Sequence, residues 1–113
     1  MRKIVFFAFQ GEPMCFTHLL FNAVDLHKKG HDVKIVIEGK ATALIEKNIE
    51  SNNPHFMEAK ELGLIDSVCK ACANQMGALD YIKNNTDLVL NGDLVGHPPM
   101  EPYVREGYEI ITL

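Results

Sequence analysis

Cys69 and Cys72 are separated by two residues, at the point where the sequence predicts the end of a strand and the start of a helix. If this helix begins near Lys70, Cys72 lies in its first turn, where unpaired backbone N–H groups and the helix dipole stabilise a thiolate. Lys70 adds positive charge nearby. The pattern predicts a reactive thiol at Cys72, with Cys69 and Lys70 as further catalytic candidates. The alternative is that both thiols only pack, because free cysteine is among the most buried residue types.

Other residues that can do chemistry follow the predicted strands. In an open parallel sheet, ligands bind beyond the carboxyl ends of the strands, so side chains placed there converge on one edge. Cys15 follows the first predicted strand, Glu38 and Gly39 follow the second, and His97 follows the fourth. These residues, with Asn74 on the cysteine helix, are candidate ligand-binding positions. The helix that carries Cys15 is largely apolar, so the competing interpretation places Cys15 in the core, and we expect it to be buried.

The cysteines also permit two other kinds of chemistry, zinc binding and dithiol redox exchange. Cys15-x-x-His18 and Cys69-x-x-Cys72 together supply three thiols and an imidazole, a set that zinc binds tetrahedrally. Against this set, the first pair lies on a long amphipathic helix and neither pair has a glycine turn, so we expect no metal here. The Cys69-x-x-Cys72 spacing also permits a dithiol redox pair, although the two residues between the thiols are not distinctive.

The elements that must position these residues alternate along the chain. Apolar runs bounded by glycine, proline and asparagine predict strands, and segments with helical periodicity separate them. This order predicts parallel strands joined by right-handed crossovers, and one domain over residues 1–113 that forms a three-layer α/β/α sandwich with a five-stranded parallel sheet. The predicted strands are Lys3–Phe9, Asp32–Ile37, Leu64–Val68, Asp87–Leu90 and Tyr108–Leu113. The first predicted helix has Pro13 in its first turn and is closed by Lys28-Lys29-Gly30. The others are Ala41–Ile49, Phe56–Leu62, the cysteine helix as far as about Asn84, and one or two helical turns in Glu101–Arg105.

Composition excludes several classes of protein. The chain has 113 residues, of which 47% are hydrophobic, and its net charge is −4 with scattered basic residues, so we expect no nucleic-acid partner. Three cysteines are a poor disulfide framework and suit a reducing compartment.

The opening apolar run is too short for a signal peptide or a membrane span. We therefore expect a cytoplasmic protein with no membrane contact. No glycine-rich nucleotide-binding motif is present, and we expect no cofactor.

The order of elements resembles the DsrE/DsrF-like family, which includes TusD-type sulfur carriers and YchN-like proteins. The likeness extends over nearly the whole chain. It rests on the opening strand Lys3–Phe9 and the helix after it, the strand end Ile35–Gly39, the helix start Cys72–Met76, and the closing turn and strand Gly107–Ile110. The resemblance implies an α/β/α sandwich with a five-stranded parallel sheet, and a homo-oligomer, often a trimer or hexamer.

The resemblance also implies a function. In sulfur-carrying members of the family, a cysteine at the start of the helix after the third strand accepts sulfane sulfur as a persulfide and passes it on. Cys72 matches that position, whereas Cys69 is not a general feature of the family. We therefore expect a sulfur carrier that exchanges sulfur with donor and acceptor proteins or small thiols. The alternatives are a non-catalytic module that binds a small ligand or zinc, and a dithiol redox protein that uses Cys69 and Cys72.

Overall fold

The computed structural model describes residues 1–113 and contains one sheet of five strands. In chain order they are Lys3–Ala8 (β1), Asp32–Ile37 (β2), Ile65–Cys69 (β3), Leu90–Asn91 (β4) and Glu109–Thr112 (β5). The spatial order is β4-β3-β2-β1-β5, and every neighbouring pair is parallel. The predicted α/β fold with a five-stranded parallel sheet is therefore confirmed.

Six α-helices and one 3-10 helix connect the strands. The α-helices are Pro13–Lys28 (α1), Leu44–Glu50 (α2), Pro54–Glu61 (α3), Lys70–Gln75 (α4), Leu79–Asn85 (α5) and Glu101–Arg105 (α6), and the 3-10 helix is Gly39–Ala43. None of these helices combines the length and the apolar character that a membrane crossing needs.

Three predicted elements differ from the structure beyond their end residues. The helix predicted over Ala41–Ile49 is divided into the 3-10 helix Gly39–Ala43 and α2. The cysteine helix does not continue to Asn84, because Gly77 adopts φ +75° and ends α4. The N–H groups of Gly77 and Ala78 then donate to the carbonyls of Asn74 and Ala73, which is the glycine-terminated helix end known as a Schellman motif. The fourth strand was predicted over Asp87–Leu90 but contains only the two residues of β4. It is an edge strand, and the Asn91 side chain turns the chain by accepting the N–H of Asp93.

The larger core lies on the helix-rich face of the sheet. Side chains alternate between faces along a strand, and Ile4, Phe6 and Ala8 of β1 point to this side. Helix α1 packs on them with a stripe of buried residues at helical spacing, and α3 lies beside α1. The buried residues of α1 are Phe16, Leu19, Leu20, Ala23 and Val24.

The opposite face of the sheet has a much thinner cover. Val5, Phe7 and Val36 are fully buried there, and Tyr103 of α6 packs edge-on against Phe7 with 5.7 Å between ring centroids. Tyr108 packs edge-on against Tyr103 in turn. The sheet thus lies between two helical layers of very unequal size, and the smaller layer is the five-residue helix α6.

A β-bulge in β3 sets the direction of its last side chains. Ile65 pairs with Ile35 of β2, but Ser67 pairs with Val36, so β3 contains one extra residue at this point. After the bulge Val68 joins the larger core. Because neighbouring strand residues point to opposite faces, Cys69 is turned away from that core. As the last residue of β3, it lies at the carboxyl edge of the sheet.

Candidate functional site

Four side chains from separate segments meet at the carboxyl edge of the sheet. Glu38 follows β2, Cys69 ends β3, Cys72 lies in α4, and His97 lies in the loop after β4. The Nδ1 atom of His97 is at their centre, 3.1 Å from Cys69 Sγ, 3.7 Å from Cys72 Sγ and 4.0 Å from Glu38 Oε1. We call these four residues the thiol site. Their meeting agrees with the expectation that residues after parallel strands share one edge.

Cys69 is the buried thiol of the site. It is fully buried and occupies the N-cap of α4, where its sulfur accepts the backbone N–H of Cys72 at 3.3 Å. Its Sγ also lies 3.7 Å from the carbonyl oxygen of Gly96. Burial raises the pKa of Cys69 to about 12, and the N–H from Cys72 only partly offsets this effect. Cys69 is therefore a protonated thiol at neutral pH.

Cys72 is the accessible thiol. It lies in the first turn of α4 as predicted. The backbone N–H of Cys72, however, donates to the sulfur of Cys69 and not to that of Cys72. Cys72 is half-buried and lines a cavity of about 210 Å³. The other residues lining this cavity are Gly39, Lys40, Gln75 and Met76. A small molecule that enters the cavity can reach the Cys72 sulfur, with the Lys40 side chain beside it.

Glu38 forms the buried side of the site. It is only 5% exposed, and its N–H continues the sheet by donating to the carbonyl of Ala8. Burial raises the pKa of the Glu38 carboxyl, and the neighbouring His97 and a hydrogen bond from Cys69 partly offset that rise. The site therefore holds an acidic group that burial has made harder to ionise.

Not every predicted site residue belongs to this group. Gly39 does line the Cys72 cavity, but Lys70 and Asn74 are exposed and line a separate groove that also includes Asp93.

Cys15 is exposed on α1 and takes no part in the group, so the expectation that it would be buried is wrong. It precedes Phe16, the first core residue of α1, and one residue along a helix turns a side chain by about 100° away from the apolar stripe.

Two further residues support the site and were not predicted. Lys40 lines the Cys72 cavity, and its position directly after Gly39 is the signal that could have identified it. Thr42 is fully buried, and its hydroxyl oxygen lies 2.8 Å from the Gly39 carbonyl and 3.4 Å from the Cys72 carbonyl. This hydroxyl ties α4 to the 3-10 helix. No local sequence pattern marks this link, because Cys72 lies 30 residues beyond Thr42 in the chain.

The fold and the site together define an α/β protein with two cysteines and a histidine at the carboxyl edge of its parallel sheet. The chain is 36% identical over 99 residues to uncharacterized protein MJ0733 of Methanocaldococcus jannaschii, a match that covers 85% of this chain and 78% of that protein. It therefore belongs to the same family as that protein. An uncharacterized protein of Archaeoglobus fulgidus is 33% identical over 51 residues, which are 45% of this chain and 84% of the relative. No family model and no solved structure matches the chain.

Proposed function

We propose that this chain is a cytoplasmic sulfur-transfer protein that carries sulfane sulfur as a persulfide on Cys72. The observation that carries the proposal is the unequal setting of the two thiols. Cys72 opens on a cavity with an imidazole nitrogen 3.7 Å from its sulfur, whereas Cys69 is buried and protonated. The resemblance to DsrE/DsrF-like proteins supports the same assignment, and it favours a homo-oligomer.

The transfer step balances without an oxidant. His97 Nδ1 takes the proton of Cys72, since the neutral imidazole with its proton on Nε2 has Nδ1 free to accept. The Cys72 thiolate attacks the outer sulfur of a donor persulfide, R–S–SH. The donor S–S bond breaks, a new S–S bond forms on Cys72, and the donor thiolate R–S⁻ leaves and takes up the proton. A thiol on an acceptor molecule then removes the sulfur by the same exchange in reverse.

Cys69 has a protective role in this mechanism. A persulfide on Cys72 is open to attack by a neighbouring thiolate, which would form a Cys69–Cys72 disulfide and release hydrosulfide. The raised pKa of Cys69 keeps its sulfur in the thiol form, which is a poor nucleophile. The Cys69 sulfur lies 3.1 Å from His97 Nδ1 and 3.7 Å from the Gly96 carbonyl, so its S–H can turn to the carbonyl when His97 Nδ1 accepts the proton of Cys72. The buried thiol therefore lets the persulfide persist until an acceptor arrives.

Sulfur loading followed by intact-mass measurement tests the proposal. The reduced full-length chain is incubated with glutathione persulfide, freed of donor and weighed. We expect the wild type and the matched control Cys15→Ser to gain the mass of one sulfur atom, and Cys72→Ser to gain none. Peptide mapping should place the added sulfur on Cys72. Equal loading of Cys72→Ser and wild type would overturn the proposal, and a loss of two hydrogens without added sulfur would favour a dithiol redox protein.

A further inference from the structure

The thiol site also has the geometry of a metal centre. The ligand atoms of Cys69, Cys72 and His97 all lie within 4.8 Å of one another. A tetrahedral zinc ion has Zn–S bonds of about 2.3 Å and Zn–N bonds of about 2.0 Å, which places a sulfur and a nitrogen ligand about 3.5 Å apart. The two observed S–N distances, 3.1 and 3.7 Å, lie on either side of that value. The three ligands therefore need little movement to surround one ion.

Glu38 is the nearest carboxylate to these three ligands; it lies outside the group whose atoms are all within 4.8 Å of one another, so it would have to move inward to become the fourth ligand. Its Oε1 is 4.0 Å from His97 Nδ1, and its side chain is only 7% exposed. A buried carboxylate needs a compensating charge, and its cationic partner in this structure is His97, which is charged only when protonated. A dication between these groups would meet that need. The four ligands come from the end of β2, the end of β3, α4 and the loop after β4, so the fold itself assembles the set.

We propose that the thiol site binds one Zn²⁺ ion through Cys69 Sγ, Cys72 Sγ, His97 Nδ1 and a Glu38 carboxylate oxygen. Two thiolates and an imidazole are ligands that select zinc over magnesium or calcium. Binding exchanges the two thiol protons for the metal and involves no electron transfer. The zinc set considered from the sequence differs, because it included Cys15 and His18; both are exposed on α1 and outside this group.

Zinc binding goes beyond the proposed sulfur transfer and does not depend on it. The two activities share the Cys72 sulfur, and a zinc-bound thiolate is not free to attack a donor persulfide. Bound zinc therefore blocks sulfur loading, and removal of zinc by a chelator restores it. In this way the metal would control whether the chain accepts sulfur.

The experiment uses the reduced, untagged chain without any sulfur donor. Metal-free protein is titrated with Co²⁺, whose thiolate charge-transfer and d–d absorption bands report tetrahedral thiolate ligation, and Zn²⁺ is then added to displace it. We expect wild type and Cys15→Ser to bind one ion per chain. Cys72→Ser and His97→Gln should bind at least about tenfold more weakly. Glu38→Gln should retain binding with changed d–d bands, because it keeps both thiolates and the imidazole.

Circular dichroism of each variant separates a lost ligand from a lost fold. Failure of the folded wild type to bind, or equal affinity of wild type and Cys72→Ser, would overturn the zinc site. The result is independent of sulfur loading: a chain that loads sulfur but binds no metal refutes only this inference. A chain that binds zinc but never loads sulfur refutes only the proposed carrier function.

Discussion

Cys69 and Cys72 lie one helical turn apart and differ mainly in what surrounds their sulfurs. Cys69 ends a buried strand and caps α4, so its sulfur accepts the backbone N–H of Cys72. That single hydrogen bond stabilises its anion less than burial destabilises it, and the pKa rises to about 12. A helix N-terminus does not by itself make a thiol acidic when the sulfur is removed from water.

Alkylation should therefore distinguish the three cysteines. With a pKa of about 12, Cys69 has a thiolate fraction on the order of 10⁻⁴ at about pH 8. In the folded metal-free chain we expect iodoacetamide to label the exposed Cys15 and the half-buried Cys72. Cys69 should react only after denaturation. Peptide mapping against time measures the three rates, and labelling of Cys69 as fast as Cys72 would contradict the assignment of the working thiol.

The same thiol should make the chain less stable in alkali. An unfolded cysteine ionises near pH 8.5, whereas folded Cys69 keeps its proton to about pH 12. Between these values the folded state binds more protons than the unfolded state, so stability falls as pH rises through this window. We expect the free energy of unfolding to fall more steeply for wild type than for Cys69→Ser, by up to about 1.4 kcal/mol per pH unit. Urea unfolding at about pH 9, 10 and 11 measures both slopes, and parallel slopes would count against a buried titrating thiol.

Glu38 should show a related effect in acid. Its folded pKa is raised by burial, so the folded state is favoured while the carboxyl is protonated. That stability is lost as pH rises through the ordinary pKa toward the raised value. We expect metal-free Glu38→Gln to melt at a higher temperature than wild type near neutral pH, and the difference to shrink as pH falls below about 4.5. The exposed Glu61→Gln is the control. A lower melting temperature for Glu38→Gln at neutral pH would show that the carboxylate is stabilised instead.

At the scale of the elements, the sequence predicted the sheet well because apolar runs and chain breaks are local signals. The bounds of β2 were predicted correctly, and those of β1 and β5 to within a few residues. The strand-end rule placed Glu38, the two later cysteines and His97 at one edge, but it also placed Cys15 there, which lies outside the group. The bulge in β3 was not predictable, since it depends on how β3 pairs with β2 and not on β3 alone. The break at Gly77 was visible as a helix-ending glycine, but the apolar periodicity on both sides suggested one helix.

The sequence predicted which residues form the thiol site better than it predicted how their side chains interact. His97 was identified only as a residue of the loop after the fourth strand, and its contact with both sulfurs depends on the turn before it. That turn is held against α4 by a hydrogen bond of 2.8 Å from the Ala71 N–H to the Gly96 carbonyl. Burial raises the pKa of Cys69, and burial is a property of the packed fold rather than of the local sequence.

Gly96 tests whether this turn positions His97. Its φ is +93°, and a Cβ added there would lie 3.0 Å from the Cβ of Ala71. Gly30 is a matched control, because its φ is +95° and no atom lies within 4 Å of an added Cβ. We expect each glycine-to-alanine change to cost about 1 kcal/mol of backbone strain. Gly96→Ala should cost more and should also slow alkylation of Cys72, because the His97 loop must move away from α4. Urea unfolding and Cys72 labelling rates measure both effects, and equal results for the two variants would exclude a positioning role for the turn.

At the scale of the whole molecule, the two faces and two edges of the sheet are covered unequally. One face carries the long helix α1 with its buried stripe, while the other carries only the short helix α6. Beside α6, the edge strand β5 leaves its outer backbone groups without a strand partner. Val104 is 60% exposed, and Ile111 and Leu113 are each more than a third exposed. This apolar edge therefore offers a surface that can contact a second copy of the chain.

The expected homo-oligomer can be tested on this edge. Val104→Asp places a charge on the apolar edge, and Val89→Asp is a matched control because Val89 is 59% exposed on the β4 side of the sheet. A charge buried in an interface without a partner is costly, so Val104→Asp should shift the chain toward monomer while Val89→Asp should not. Light scattering at micromolar concentration measures the mass, and circular dichroism shows that both variants fold. A monomeric wild type would refute the expected oligomer, and an unchanged mass in Val104→Asp would place the interface on another surface.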